Sequence, residues 1–393
     1  MNAILIVGGG ANQVPLVNVA RSMGLRVIVS DMYPNPPCKE IADSFHQVDT
    51  TDKVGTLEVA RKEQVSAVAT DQTDAAVPTV AFVAEQCGLR GISYETALRF
   101  SNKHVSRRFL STHTPELLPK FQFFESPRGA IALYRDDRRP AVVKPINSQG
   151  SKGVAHLMPD TYERSIETAF SESRGRGVLI EELVKGHEYS VEAFVKDATV
   201  HNLAITSKYH YESNPCIDVR NTYLGDVSVQ VQEALYAANT RVVEALGLPF
   251  GSTHAEFMWD GSSAYLMEIA CRGGGGSIST KIVPYLTDFE PNRALLSELL
   301  GWPYGIEAQD YRRRFVVMKF FEFAPGIVRE VRNAAVLEEG LLAMELNVFP
   351  RQEIRPVMSS RDRPGYFVVG GTNRADVLHR ERRIQELVHV SYA

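Results

Sequence analysis

Cysteine is scarce in this chain. There are four in 393 residues, at positions 38, 87, 216 and 271, and no CxxC pair. That excludes a disulfide framework and a zinc knuckle, and points to a reducing, cytoplasmic setting. An excess of basic charge is also missing: 43 Lys and Arg stand against 47 Asp and Glu, a net of −4. Without a cationic field, general nucleic-acid binding is not expected. No apolar run approaches the roughly 18–20 residues that span a bilayer, so no membrane partner is expected. The chain enters a strand-like run, Ala3 to Val7, with no basic leader or cleavage site ahead of it, so a signal peptide is not expected. Internal repeats and low-complexity tracts are absent.

What remains is an ordinary globular composition, 44% hydrophobic and 23% charged. The length suggests two to three domains of about 150 residues each, enough to bury a core without staples. The opening reads β-α-β. Ile4 to Val7 is a short apolar run ended by Gly8-Gly9-Gly10. Val14 to Met23 has the pattern of a helix with Pro15 in its first turn, and Arg26 to Val29 is a second strand ending at Asp31. Val65 to Ala69 reads as a strand and Val77 to Cys87 as a helix. Such alternation implies an α/β fold with a parallel sheet. Further on, Ala141 to Lys144, Val178 to Glu181 and Tyr189 to Val195 read as strands, and Val231 to Leu246 as a helix. Phe315 to Phe321 and Tyr366 to Val369 are strand-like, with Gly370-Gly371 read as a turn and Arg374 to Leu387 as a charged helix. Breaks fall near 100 and 310, dividing the chain into 1–100, 101–310 and 311–393.

Three stretches carry chemistry. Gly8 and Gly10 fit the start of the dinucleotide fingerprint G-x-G-x-x-G, and Asp31 stands where a ribose-binding acid would, but position 13 is Gln, not Gly. A tight βα turn explains the same residues. The second stretch places Lys144 at the end of an apolar strand, where a lysine is costly to bury unless it meets an anion. The loop after it holds Ser148, Gly150, Ser151 and Gly153, small residues that let a backbone approach phosphate. It is not a Walker loop.

The third stretch is the most informative. His254-Ala255-Glu256-Phe257 runs up to Asp260-Gly261, a strong hairpin signal, and Tyr265-Leu266-Met267-Glu268-Ile269 returns. Glu256 then falls opposite Glu268, with Cβ atoms about 4.5–5.5 Å apart, and shares its face with His254. Ala255, Phe257, Met267 and Ile269 are expected in the core. Two carboxylates that close repel unless a proton or cation intervenes. Magnesium, a hard ion that keeps waters and phosphates in its shell, suits them. Arg272 and four glycines, 273–276, come directly after. The run is expected where the backbone closely approaches a ligand, and the arginine fork suits a carboxylate or phosphate.

Together these pieces resemble the ATP-grasp superfamily, over nearly the whole chain. The resemblance implies an ATP-grasp fold: an N-terminal Rossmann-like parallel-sheet domain, a central domain with a lid at about 115–185, and a small C-terminal module around Gly370-Gly371-Thr372. It implies ATP and Mg2+ (or Mn2+) as cofactors. Lys103, within Ser101-Asn102-Lys103 and ahead of Arg107, resembles the lysine on the α-phosphate, and Lys144 the second phosphate lysine. Ser148, Gly150, Ser151 and Gly153 resemble the mobile loop over the β- and γ-phosphates. Glu181 to Val184 resembles the adenine linker, with Glu182 and Val184 acting through their backbones, and Glu188 the ribose-binding acid. Glu256 and Glu268 resemble the metal ligands. Many members carry Asn where this chain has Ala270, which cannot ligate. The Ala variant followed by Arg and glycines is similar to the L-amino-acid ligases, and to ligases resembling the carbamoyl-phosphate synthase large chain.

The resemblance implies a ligase that joins a small-molecule carboxylate to an amine through an acylphosphate. Lys103, Lys144 and Arg272 would offset the charge of the first step. Arg272 and the N–H groups of Gly273, Gly274 and their neighbours would stabilise the oxyanion of the second. Tyr209, His210 and Arg220 lie in what reads as a long irregular segment, and are candidates to read the substrate. His254 is a candidate to orient substrate or act as a base. A homodimer is compatible with the resemblance. Other readings are a biotin-carboxylase-like enzyme, a purine-pathway ligase, a dinucleotide-dependent oxidoreductase and a non-catalytic nucleotide sensor.

Overall fold

The computed structural model of the protein describes residues 2–306 and 314–393. Strands β1 (Ala3–Val7), β2 (Arg26–Asp31), β3 (Ser44–Gln47) and β4 (Ala67–Ala69) form a sheet in the order β3-β2-β1-β4. Every pairing in it is parallel. All five residues of β1 are buried, because helices cover both faces. Ile4 and Ile6 pack on Leu16 and Val17, while Leu5 and Val7 pack with Leu57 and Val83. The two expected helices are observed at Val14–Ser22 and Val77–Cys87, the second closed by Gly88 at φ +63°. The expected break near 100 lies within helix Tyr94–Ser101. The break near 310 falls outside the described residues.

A second unit is antiparallel: β5 (Phe121–Phe124), β6 (Ala141–Pro145), β7 (Ala155–His156) and β8 (Val178–Glu182), in the order β5-β8-β6-β7. Helices Pro127–Asp136 and Tyr162–Glu172 cover it. Ala130, Tyr134, Ile166 and Phe170 pack on Val143, Val178 and Ile180, a core of its own.

The centre is built from β9 (His187–Lys196), β10 (Thr199–Tyr211), β11 (Asn214–Tyr223), β12 (Gly251–Trp259) and β13 (Ala264–Ala270). The C-terminal part adds β14 (Phe315–Phe320), β15 (Gly326–Asn333), β16 (Leu341–Leu346), β17 (Glu353–Ile354), β18 (Gly365–Gly371) and β19 (Val388–Tyr392). Eight of these strands form one sheet, β13-β12-β9-β10-β11-β14-β18-β16, so C-terminal strands continue the central sheet. The period of two sorts its side chains. Val191, Val195, Ala255, Phe257, Leu266 and Ile269 meet helix Val229–Leu246 through Leu235, Val242 and Leu246. The other face is polar around Glu256 and Lys208 and apolar where Phe194, Val316 and Met318 pack on Ile282 and Leu286.

Two expectations change here. Asn214 to Asp226, read as an irregular excursion, is mostly β11, paired on both sides with β10 and β14. Its polar residues hid the strand period because Asp218 and Asn221 face a cavity and Arg220 meets Glu381. Gly370-Gly371 is the end of β18, not a turn. A Cβ at Gly370 would stand 2.8 Å from Tyr285, and one at Gly371 2.9 Å from Val377, so the glycines serve close packing.

Gly186 joins the β5-β8-β6-β7 sheet to the central sheet by passing over the end of the β12–β13 hairpin. A Cβ there would lie 2.1 Å from the Trp259 carbonyl oxygen, a backbone atom with no rotamer to change. Gly186→Ala is therefore expected to destabilise the fold by about 1–3 kcal/mol. Urea unfolding checks this, and an unchanged midpoint would refute it.

Candidate active site

The polar face of the central sheet is a row of charges set by strand register. Glu256 lies directly opposite Glu268 on β13, as the hairpin predicts, and opposite Ser190 on β9. His254 lies opposite Glu192 on β9. Lys208 and His210 reach the same side from β10. All of these residues but Glu192 line a cavity of about 600 Å3. Lys144 of β6 and His156 of β7 wall one part of it, and Gly275 and Gly276 another. Phe320, Arg363 and Tyr366 enter from the C-terminal strands.

The hairpin contains a bulge that the sequence did not disclose. Between Glu256 and Phe257 the register slips, so Phe257 faces Leu266 rather than Met267. Leu266 goes into the core, fully buried, and Met267 stands at the cavity instead of in the core as expected. The bulge turns two carbonyls to cations. Arg107 Nη2 donates to the Leu266 and Met267 oxygens, each at 2.8 Å, and Lys144 Nζ donates to the Met267 oxygen at 3.1 Å. Both cations also hold Glu181, Arg107 Nε at 2.7 Å and Lys144 Nζ at 2.7 Å. Burial alone would raise the Glu181 carboxyl, but Arg107 and Lys144 outweigh it and hold it down to about 2. The Glu181 side chain thus seats Lys144.

Charges of both signs alternate across the cavity. Lys208 Nζ lies 2.6 Å from Glu188 and 2.6 Å from Glu256, and His210 Nε2 lies 2.9 Å from Glu188. Lys103 Nζ donates to Glu268 Oε1 and to the Ser148 carbonyl, both at 2.8 Å. Burial opposes the charge of Glu256, yet Lys208 and His254 hold its carboxyl well below the usual range. Burial would also discharge His254. Glu192, 2.5 Å from Nδ1, and Glu256, 3.5 Å from Nε2, instead push it up to about 10. An imidazolium flanked by two carboxylates has no lone pair to offer, so His254 is not suited to act as a base.

Arg272 is anchored. Its Nε and Nη2 bond Asp74 Oδ1 and Oδ2, each at 2.8 Å. The Gly273 N–H donates to Asp71 Oδ1 at 2.9 Å, so it is not free for an oxyanion. The first two glycines admit protein rather than ligand: a Cβ at Gly273 would lie 2.3 Å from Ser279, and one at Gly274 3.0 Å from His254. Gly275 has open space and, with Gly276, lines the cavity. The run leads into a π-helical turn, Ile278–Ile282.

The remaining candidates divide. Gly150, Ser151, Glu182, Val184 and Glu188 line the cavity. Gly150, Ser151 and Gly153 all have positive φ, giving the loop its sharp path. Ser148 Oγ is buried without a hydrogen-bond partner among the described residues. Arg220 and Tyr209 are not at the cavity. Arg220 holds Glu381 at 2.6 and 2.8 Å, and exposed Tyr209 lies under its guanidinium, whereas His210 is turned inward. At the N-terminus the Gly9 N–H donates to Asp31 Oδ2 at 2.7 Å, so the acid closes the glycine turn. Sequence reasoning missed Lys208, Glu192, Asp218 and Arg363. The alternation Glu188-x-Ser190-x-Glu192 beside Lys208-x-His210 was the available signal.

Among the described residues no group of three or more His, Cys, Asp or Glu side chains is placed to hold a metal. Glu256 and Glu268 offer two hard carboxylates on one face. That donor set fits magnesium held mainly by phosphate oxygens and water, not a cage made by protein alone. Among the described residues no helix is long and apolar enough to cross a membrane.

Comparison with known proteins agrees with this geometry. Residues 138–281 match the model of the ATP-grasp domain, and residues 319–393 that of the L-amino acid ligase C-terminal domain 2. The L-amino acid ligase of Bacillus licheniformis superposes with a TM-score of 0.82 at 19% identity, covering 100% of this chain and 99% of that one. A phosphoribosylamine–glycine ligase of Methanoregula boonei is 26% identical over 198 residues, 49% of this chain and 45% of that protein, so less than half of its length is spanned. A formate-dependent phosphoribosylglycinamide formyltransferase of Methanocaldococcus jannaschii is 23% identical over 309 residues, 74% of this chain and 75% of that protein. The chain has the ATP-grasp fold of the carboxylate–amine ligase type.

The charge on His254 is directly testable. A folded pKa of about 10 lies above the unfolded value near 6.5. The stability it contributes is fully present below about pH 6.5 and is lost as pH rises through the folded value. The His254 ring resonances are expected not to titrate between about pH 5 and 8.5, and the advantage over His254→Gln to shrink toward pH 10. An NMR midpoint near 6.5 would refute the assignment.

Proposed function

We propose that this chain is an ATP- and magnesium-dependent ligase that joins the carboxylate of an amino acid to an amine, giving an amide or peptide with ADP and phosphate. The observation that carries the proposal is the cross-strand pair Glu256–Glu268, facing a cavity lined by Lys144, with Lys103 bonded directly to Glu268. The pair would hold the metal, which supplies charge neutralisation on the triphosphate. The protein's own ions are ready for exchange. Glu181, Glu188, Glu256 and Glu268 are each engaged by a lysine, so an incoming triphosphate offers oxygens to the lysines while releasing glutamates.

In the first step a carboxylate oxygen attacks the γ-phosphorus, the bond to the leaving ADP oxygen breaks, and an acylphosphate forms. Anions meet there, and Lys103, Lys144 and Arg272 offset the repulsion. In the second step the amine nitrogen adds to the acyl carbon, and the C–O bond to phosphate breaks. The amine proton leaves to phosphate or water. His254, as an imidazolium, adds positive charge to this region and takes no proton. Gly275 and Gly276 leave backbone exposed beside the reacting carbon. Residues 148–153 cover the phosphates and keep water from the acylphosphate.

An amino acid as the carboxylate is supported by the match of residues 319–393, which bring Phe320, Arg363 and Tyr366 to the cavity. A purine-pathway ligation is a second reading, favoured by the likeness to the phosphoribosyl enzymes. The oxidoreductase reading loses its support, because Asp31 is committed to the glycine turn.

Phosphate release with amino acids offered singly and in pairs, in the presence of magnesium, tests the proposal. Release that requires two components is expected. Glu268→Gln is expected to lower carboxylate-dependent ADP formation by about 100-fold. Unchanged turnover in that variant would overturn the assignment.

A further inference from the structure

The loop above the phosphates is held by the N-terminal sheet. Gln149 Oε1 accepts a hydrogen bond from the backbone N–H of Asp74 at 2.9 Å. The carboxylate of the same Asp74 takes both arms of Arg272. One residue thus touches the loop through its main chain and the arginine through its side chain. The ion pair is largely buried, with side chains 17% and 13% exposed, so water does not compete for it.

Asp74 is itself rigidly placed. It opens the helical turn Asp74–Ala76 that runs into helix Val77–Cys87. The segment before it is tied to the β1 turn: Thr70 Oγ1 donates to the Val7 carbonyl at 2.8 Å, and Gln13 Nε2 to the Asp71 carbonyl at 2.7 Å. Asp71 in turn holds the Gly273 N–H. Residues 70–74 therefore form a platform on which both the loop and the glycine run rest. Burial opposes the charge on Asp74, and Arg272 more than compensates, so the carboxylate stays ionised.

We propose that Asp74 is a positioning residue that couples seating of the 148–153 loop, through Gln149, to placement of Arg272 and the glycine run. The inference rests on the ligase reading above. With the loop seated, Arg272 is aimed and water is excluded. With Gln149 detached, the acylphosphate is exposed. Water oxygen then adds to the acyl carbon, the C–O bond to phosphate breaks, and the carboxylate and phosphate leave with a proton lost to solvent. ATP is consumed without amide.

The test uses the full chain as wild type, Gln149→Leu and Asp74→Asn. Hydrogen exchange is followed with magnesium and ADP present, and ADP and amide are counted in the reaction. Gln149→Leu is expected to speed exchange about fivefold in residues 148–153 and also in residues 272–277, which include the Gly273 amide. Asp74→Asn keeps the backbone donor to Gln149, and is expected to speed exchange in 272–277 alone. ADP formed per amide is expected to rise about threefold in Gln149→Leu. A merely structural loss would lower both products together and leave the ratio at one. Faster exchange confined to 148–153 in Gln149→Leu would overturn the coupling. If no carboxylate and amine draw ADP from the wild type, the ligase reading fails, and the exchange comparison still decides the coupling.

Discussion

The centre of this protein depends on an ammonium placed between two partly buried carboxylates. Glu188 and Glu256 lie on neighbouring strands with little water to solvate them, and Lys208 bridges both at 2.6 Å. Removing one partner from such a group leaves an uncompensated buried charge, at a cost of about 3–5 kcal/mol. The arrangement is tolerable because the strand period puts these three charges on one face, while Ala255, Phe257 and Leu266 supply a dry core on the other. The same logic explains the bulge at Met267. A carbonyl taken out of the ladder would be stranded in a core, but here it meets Lys144 and Arg107.

Much of this was legible in the sequence. The Asp260-Gly261 signal announced the hairpin that brings Glu256 and Glu268 together, although the turn pairs Trp259 with Ala264 and the bulge is what sets Glu268 opposite Glu256. Lys144, its small-residue loop and the α/β opening were readable for similar local reasons. Long-range features were not. Lys208 became a site residue only when β10 paired beside β9, and Asp74 only when a loop of the parallel sheet met Arg272, 198 positions away. The bulge overturned the expectation for Met267 because one extra residue shifts the side chains between it and the turn, sending Leu266 to the core, while Glu268 and Ile269 keep their faces. Arg220 was misread because its partner, Glu381, lies 161 residues downstream. Charged residues in a strand announce a polar face, but not whether that face meets solvent, a ligand or another helix.

The N-terminal sheet has a different job from the one its glycines suggested. Asp31 caps the turn at Gly9, and nearby side chains tie the 70–74 segment to it. What resembles part of a nucleotide fingerprint is here a brace for residues that reach the cavity from outside the central sheet.

The continuation of the central sheet into the C-terminal strands bears on how the chain is made. β14 pairs with β11 from Arg220↔Lys319 to Tyr223↔Val316, covering a side that nothing earlier in the sequence occupies. During synthesis β11 emerges well before β14. Until the later strand arrives, the nascent sheet presents a row of unpaired N–H and C=O groups, the kind of rim that invites another chain to add itself. The tail of this molecule is thus its own guard against intermolecular pairing on the ribosome, apart from any part it plays in choosing a substrate.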